Sequence, residues 1–186
     1  MFRTRSLLAV AALVLGAGEV SAQALQSNIA TVSINASKVA SLSIVVNSGA
    51  AQTATLVDNS IVSFTTPVNV STSWDVNPGL TASVTLVGYF SNPTQALANG
   101  TDYIASSLIK GRMATGTPTS FTAFTGGAVG GIGVAAGTLT LFSEAITGAN
   151  QTKTRTDDLD LQIDLTGQTV TAGTYAGTLN LRAVTQ

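Results

Sequence analysis

An all-β fold, a single antiparallel β-sandwich of about eight to ten strands, is predicted by three features of the 186-residue sequence. The first is parity. From Asp157 to Leu165 the apolar side chains of Leu159, Leu161, Ile163 and Leu165 alternate with Asp158, Asp160, Gln162 and Asp164. A period of two makes a strand with one dry and one wet face. The second is composition: Thr, Val, Gly and Ala abound while charged residues are only 9%, so the straight-chain residues that cover exposed helix faces are scarce. The third is punctuation, with Gly, Pro, Asn and Asp separating short alternating runs at the spacing of sandwich turns. A strand pair with one wet face is unstable alone and must lay its apolar side on a second sheet.

Residues 1–24 read as an export signal. Arg3 and Arg5 give a positive start, Leu7 to Ala17 an apolar middle, and Ala22-Gln23-Ala24 a small-x-small cleavage pattern. The expected organisation is a signal peptide over 1–24 and one β-sandwich domain over 25–186, exported through the inner membrane to the periplasm, the cell surface or the medium. No later apolar run has the length of a transmembrane helix, so no membrane insertion of the mature chain is expected. Without the signal, six basic and eight acidic residues remain, a net charge of −2. That charge attracts neither nucleic acid nor an anionic bilayer. The absence of Cys excludes disulfides and thiolate metal sites, and a domain of this length can bury a core without them.

Taken in order, Ile29 to Ala36 alternates with Ala30, Val32, Ile34 and Ala36 on one face, turns near Ser37-Lys38, and continues as a second strand over Ser41 to Val46 that breaks at Asn47-Ser48-Gly49. Thr53 to Val57 and Ser60 to Thr66 flank Asp58-Asn59, a pair suited to a two-residue hairpin turn. Val68 to Val76 and Leu80 to Leu86 read as a hairpin about Asn77-Pro78-Gly79, with Val76 facing Leu80 and Trp74, as a core anchor, facing Ala82. Ser91 to Gly100 suits a short helical turn, Ile104 to Met113 a weak strand, Thr115 to Gly137 a long glycine-rich loop or a loop enclosing one ragged strand, and Thr138 to Ile146 a strand. After a polar turn over Thr147 to Thr156, Asp157–Leu165 and Thr174–Ala183 read as a closing hairpin, with Tyr175 opposite Leu165 and Arg182 opposite Asp158.

Little in the chain carries catalytic chemistry, and no enzyme activity is expected. There is no His, which excludes a Ser-His-Asp system and His-ligated zinc. Glu144 is the sole Glu after the signal, and nothing pairs it with an Asp as two-carboxylate hydrolysis requires. Gly131-Ile132-Gly133-Val134-Ala135-Ala136 matches a dinucleotide fingerprint, but it lacks the strand before, the helix after and the acid downstream. Asp157, Asp158, Asp160 and Asp164 are the one oxygen cluster, a candidate Ca²⁺ site and the only cofactor reading, set against an ordinary solvated sheet face. Tyr89, Phe90 and Tyr103 lie near loops and are the candidates for stacking on a glycan.

The run Thr171-Ala172-Gly173-Thr174-Tyr175-Ala176-Gly177-Thr178-Leu179-Asn180-Leu181 resembles the terminal strands of secreted bacterial Ig-like sandwiches, pilus subunits among them. Ile29-Ala30-Thr31-Val32-Ser33-Ile34-Asn35-Ala36 is similar to the alternating N-terminal strand of chaperone–usher pilins, particularly the cysteine-free class. The chain departs from many pilins in lacking a penultimate aromatic. The resemblance implies a non-enzymatic structural role outside the cytoplasm, with self-association or a chaperone- or usher-type partner. It further implies β-strand addition, in which Ala30, Val32, Ile34 and Ala36 fill their own groove or a neighbour's. The alternative functions are a carbohydrate- or surface-binding module, adhesin-like, and an exported β-domain stabilised by Ca²⁺.

Overall fold

The computed structural model describes residues 30–186; the signal read over residues 1–24 lies outside them. Eleven strands are present among the described residues: β1 (Ser41–Ser48), β2 (Ile61–Ser63), β3 (Val68–Asp75), β4 (Ser83–Tyr89), β5 (Leu97–Asn99), β6 (Asp102–Ile104), β7 (Ile109–Met113), β8 (Thr122–Ala123), β9 (Thr138–Ala145), β10 (Thr152–Asp164) and β11 (Asn180–Thr185). One sheet runs β1-β3-β10-β7-β8, with β2 also paired to β10, and a second runs β11-β4-β9. All pairings are antiparallel. Val70, Trp74, Met113, Leu159 and Ile163 from the first sheet and Val84, Leu86, Leu141 and Phe142 from the second share one buried core. The fold is therefore an all-β sandwich.

In the immunoglobulin arrangement one sheet holds strands A, B, E and D, and the other C, F and G. Here β1, β3, β10 and β7 take the A-B-E-D order, and β4 and β11 stand as C and F. Among the described residues no strand occupies the G position beyond β11. Strand β9 lies on the far side of β4.

The alternation along β10 is reproduced: Leu159, Leu161, Ile163 and Leu165 are all buried. The pairing expected for it is not. Instead of a closing hairpin, β10 and β11 lie in different sheets, so Arg182 stands opposite Val87 and Asp158 opposite Asn69. The run from Val68 to Leu86 is corrected in the same way. Strand β3 pairs with β1 and β10, β4 with β9 and β11, and the turn at Asn77 carries the chain between sheets. Trp74 is a core anchor at 2% exposure, but its cross-strand neighbours are Leu42 and Lys153 rather than Ala82. Its indole N–H donates to the Asn150 carbonyl at 2.8 Å, which satisfies the one polar group the ring carries inward.

Four other expectations change: Ile104 to Met113 is not one strand but the end of β6, a 3-10 turn at Ser106–Leu108 and then β7, and β10 starts at Thr152, inside the stretch expected as a turn. Thr53 to Val57 forms no strand, and the helical region reduces to a 3-10 turn at Pro93–Gln95 leading into β5. The glycine-rich stretch is a loop around the short β8, as read. It lies against the second sheet: Ile132 is buried, and a Cβ on Gly130 would meet Val184 at 2.7 Å. The outward-facing Thr85 and Val87 of β4 are buried as well, at 2% and 0%, so β4 is not the half-wet strand that alternation predicts.

On the wet face of β10, Lys110 bonds Asp164 at 2.6 Å. That bond, with help from Thr166, lowers the Asp164 carboxyl to about 2. A carboxyl depressed on folding contributes stability that is present above its ordinary value and disappears as pH falls through the folded one. Thermal melts should therefore show Asp164→Asn flattening the loss of melting temperature between about pH 4 and pH 2.

Candidate functional site

The two long seams of the sandwich are built differently. Along one, β7 approaches β9, and Ile109, Met113, Phe124, Leu139 and Leu141 are all at 8% exposure or less. A Cβ added to Gly111 would meet Leu139, Leu159 and Phe124 at 3.2–3.3 Å, so glycine there allows the close approach that seals the seam. Phe124 also meets Phe90 edge-on at 5.2 Å.

Along the other seam, the edge strands β1 and β11 face each other with their inward side chains only half covered. Leu42, Ile44, Leu181 and Ala183 are partly buried, and Val46 is exposed. A cleft of about 1170 Å³ opens there between the sheets. Its floor includes Phe64, Val68, Ile163 and Leu161, and its walls include Ile44 and Leu181.

Two irregular segments frame the mouth, residues 49–58 and 170–179. Gly49 ends β1 at φ +75°, and a Cβ there would lie 2.3 Å from the Pro67 carbonyl. Only glycine turns the chain so sharply past that strand end. The second segment is tied to β5 by a reciprocal pair of backbone bonds between Ala98 and Ala176, both 2.9 Å. The mouth segments also hold one another, since Asp58 accepts from the Val170 N–H at 2.9 Å and the Asn59 N–H donates to the Gln168 carbonyl at 3.0 Å.

Strand β11 is bonded to β4 on one side and, among the described residues, has no strand on the other. Its outer N–H and C=O groups are a template for one more strand. Edges are usually blunted by Pro, Lys or a bulge. β11 has no Pro or Lys, its single charged residue is Arg182, and its pairing to β4 runs without a register shift. The cleft thus offers an apolar floor beside a strand edge blunted by one charge, Arg182.

Residues 30–40 carry no assigned secondary structure, so the strand read over Ile29 to Ala36 is absent from its described part, residues 30–36. Ala30 and Ala36 are exposed, as are Val32 at 82% and Ile34 at 87%. Alternation marked this run as sheet-forming, but residues 30–36 are assigned to no strand.

The other sequence candidates are dispersed. Phe90 is buried at 4%, so its ring is not free to stack on a glycan; Tyr89 is half-buried within β4, and Tyr103 is 44% exposed on β6. The four Asp residues each have their own partner: Asp158 accepts from Asn69 at 2.6 Å, Asp160 from Arg112 at 2.9 Å, Asp164 from Lys110 and Asp157 from Arg155. Among the described residues no group of three or more acidic side chains is arranged to hold a metal ion. Nor is any helix among them long and apolar enough to cross a membrane.

What sequence reasoning missed is the ionic cluster at the other end of β10. There the buried Asp157 receives Arg155 Nε at 2.5 Å and the Thr115 hydroxyl. Arg155 lies 4.5 Å over the Phe142 ring, and Glu144 is bonded by Lys153 at 2.6 Å. Burial pushes the Glu144 carboxyl up, but Lys153 and Asn150 outweigh it and hold the group below its usual range. Parity was the available signal, because Arg155 and Asp157 share the odd positions of the buried leucines. Compared with protein-family models, curated proteins and solved structures, the chain matches none.

Proposed function

We propose that the protein is an exported, non-enzymatic structural subunit whose copies join by strand addition, residues 29–36 of one copy entering the cleft of the next and pairing with β11. The observation that carries this reading is a complementary pair of defects. The sandwich leaves one seam open over an apolar floor, and the same chain carries an exposed segment with apolar side chains on one parity. Val32 and Ile34 are two residues apart, about 7 Å along a strand, and would point into the cleft together. Main-chain bonds to an edge supply affinity in this mode of recognition, and alternate side chains in pockets supply specificity. The export pattern over residues 1–24 suits a subunit that assembles outside the cytoplasm.

The test is a synthetic peptide spanning Asn28 to Ser37, offered to the chain carrying Val32→Asp and Ile34→Asp, whose own segment is disabled. Saturable binding that protects β11 amides from hydrogen exchange is expected. No binding, or binding that leaves β11 amides as unprotected as before, removes the proposal.

A further inference from the structure

Among the described residues the large apolar side chains left exposed are Val32, Ile34, Val39, Val45, Val46, Val57, Ile61, Leu80 and Tyr103. Scattered singly, such side chains need no explanation. Tyr103 on β6 apart, these are not scattered. Val32 and Ile34 lie on the exposed segment, and Val45 and Val46 on the edge strand β1 at the open seam. Val39 and Leu80, at 86% and 85% exposure, lie at the end of the sandwich where Lys38 is pinned to Asp75 at 2.5 Å. Val57 and Ile61, both 55% exposed, lie at the opposite end, beside Leu56 and Asp58 of the cleft mouth. Strand β3 runs from one end to the other, a distance of roughly 25 Å.

Resting on the strand-addition reading, we propose a second contact between copies: the Val39 and Leu80 end of one sandwich packs on the Val57 and Ile61 rim of the next. The length of chain between the two requires the ends to meet. Four residues, Ser37 to Ala40, separate the inserted segment from β1, and four extended residues reach at most about 14 Å. Within that stretch the Lys38 side chain reaches the Asp75 carboxylate of its own domain in an exposed ion pair. Strand β11 starts at the mouth end and runs away from it, since Asn180 pairs with Tyr89 and Thr185 with Val84. An inserted segment antiparallel to β11, the more stable pairing, therefore ends at the mouth. The donor's own domain follows directly, with its Val39 and Leu80 end first. The contact is heterologous and does not close, so it builds an open, stiffened chain of copies rather than a ring.

Sedimentation velocity over a concentration series tests this with the purified chain bearing Val39→Asp and Leu80→Asp, and separately with Val57→Asp and Ile61→Asp. Each pair should shift the protein to shorter species, weakening association roughly tenfold or more, with circular dichroism unchanged. The milder Val39→Ser with Leu80→Ser should move it the same way by less. On the Val32→Asp, Ile34→Asp background both pairs should still bind the Asn28 to Ser37 peptide. Peptide binding with an unchanged species distribution overturns the end-to-end contact and leaves strand addition standing. A parent chain that stays monomeric and binds no peptide overturns both.

Discussion

Replacing Val32 and Ile34 together by Asp is expected to turn assembled protein into monomers whose fold is unaltered. Both side chains are almost fully solvated in the described structure, at 82% and 87% exposure. Exposed substitutions away from special features change stability by only about 0.5 kcal/mol or less. Under the strand-addition proposal the same positions would enter a partner's cleft, whose lining includes Phe64, Ile163 and Leu181. Burying a Val or an Ile there contributes about 1.5–3 kcal/mol each, so deleting both lowers affinity by at least about a hundredfold. An unpaired carboxylate entering such a cleft adds a desolvation cost. Sedimentation velocity should record the loss of multimers, with circular dichroism and melting temperature as the controls. Multimers that persist at parental abundance with both Asp residues in place would falsify assembly through this segment.

How far the sequence can be read depends on which physical question is asked of it. Alternation states which face of a strand is dry, and from Val68 to Trp74 and Leu159 to Leu165 it does so correctly except at Gln162, which is buried at 8%. It does not state which strand lies alongside. Asn77-Pro78-Gly79 was read as a turn and is one, since Leu80 and Thr81 both donate to the Asn77 carbonyl. A turn that crosses between sheets uses the same residues as a turn that folds a strand back on its own sheet, so the hairpin followed from proximity in sequence alone. The closing hairpin failed for the same reason. The polar stretch after Leu165 leaves room for a crossing, and β11 begins only at Asn180. The open seam had no local signal at all. Ile44 and Leu181 look like any core residues in their alternating runs, and their half-burial arises from what the opposite sheet fails to cover. Asp157 was legible in principle, because it falls on the odd, dry parity of β10 and not with Asp158, Asp160 and Asp164.

That parity makes Asp157→Ala the substitution expected to be most damaging to the monomer. The Asp157 side chain is 2% exposed and accepts from Arg155 at 2.5 and 3.0 Å and from the Thr115 hydroxyl. Arg155 is itself 20% exposed, held over Phe142 and bonded to the Thr115 carbonyl. Removing the carboxylate leaves that guanidinium under cover with Glu144 at 3.6 Å as its nearest acid, and Glu144 is already engaged by Lys153. Breaking a buried pair from one side costs about 3 kcal/mol or more, which in a domain of this size lowers the melting temperature by roughly 6–12 °C. Asp158→Ala, one residue along on the wet face, should cost only about 1 kcal/mol, since a half-buried hydrogen bond from Asn69 is lost. The comparison separates charge from packing when Arg155→Met is added to Asp157→Leu. Apolar replacements of similar volume for both partners relieve the desolvation of two ions, so the double variant should recover most of the stability lost by Asp157→Ala. Equal melting temperatures for Asp157→Ala and Asp158→Ala would place Asp157 on the solvated face with its neighbours and contradict the buried ionic cluster.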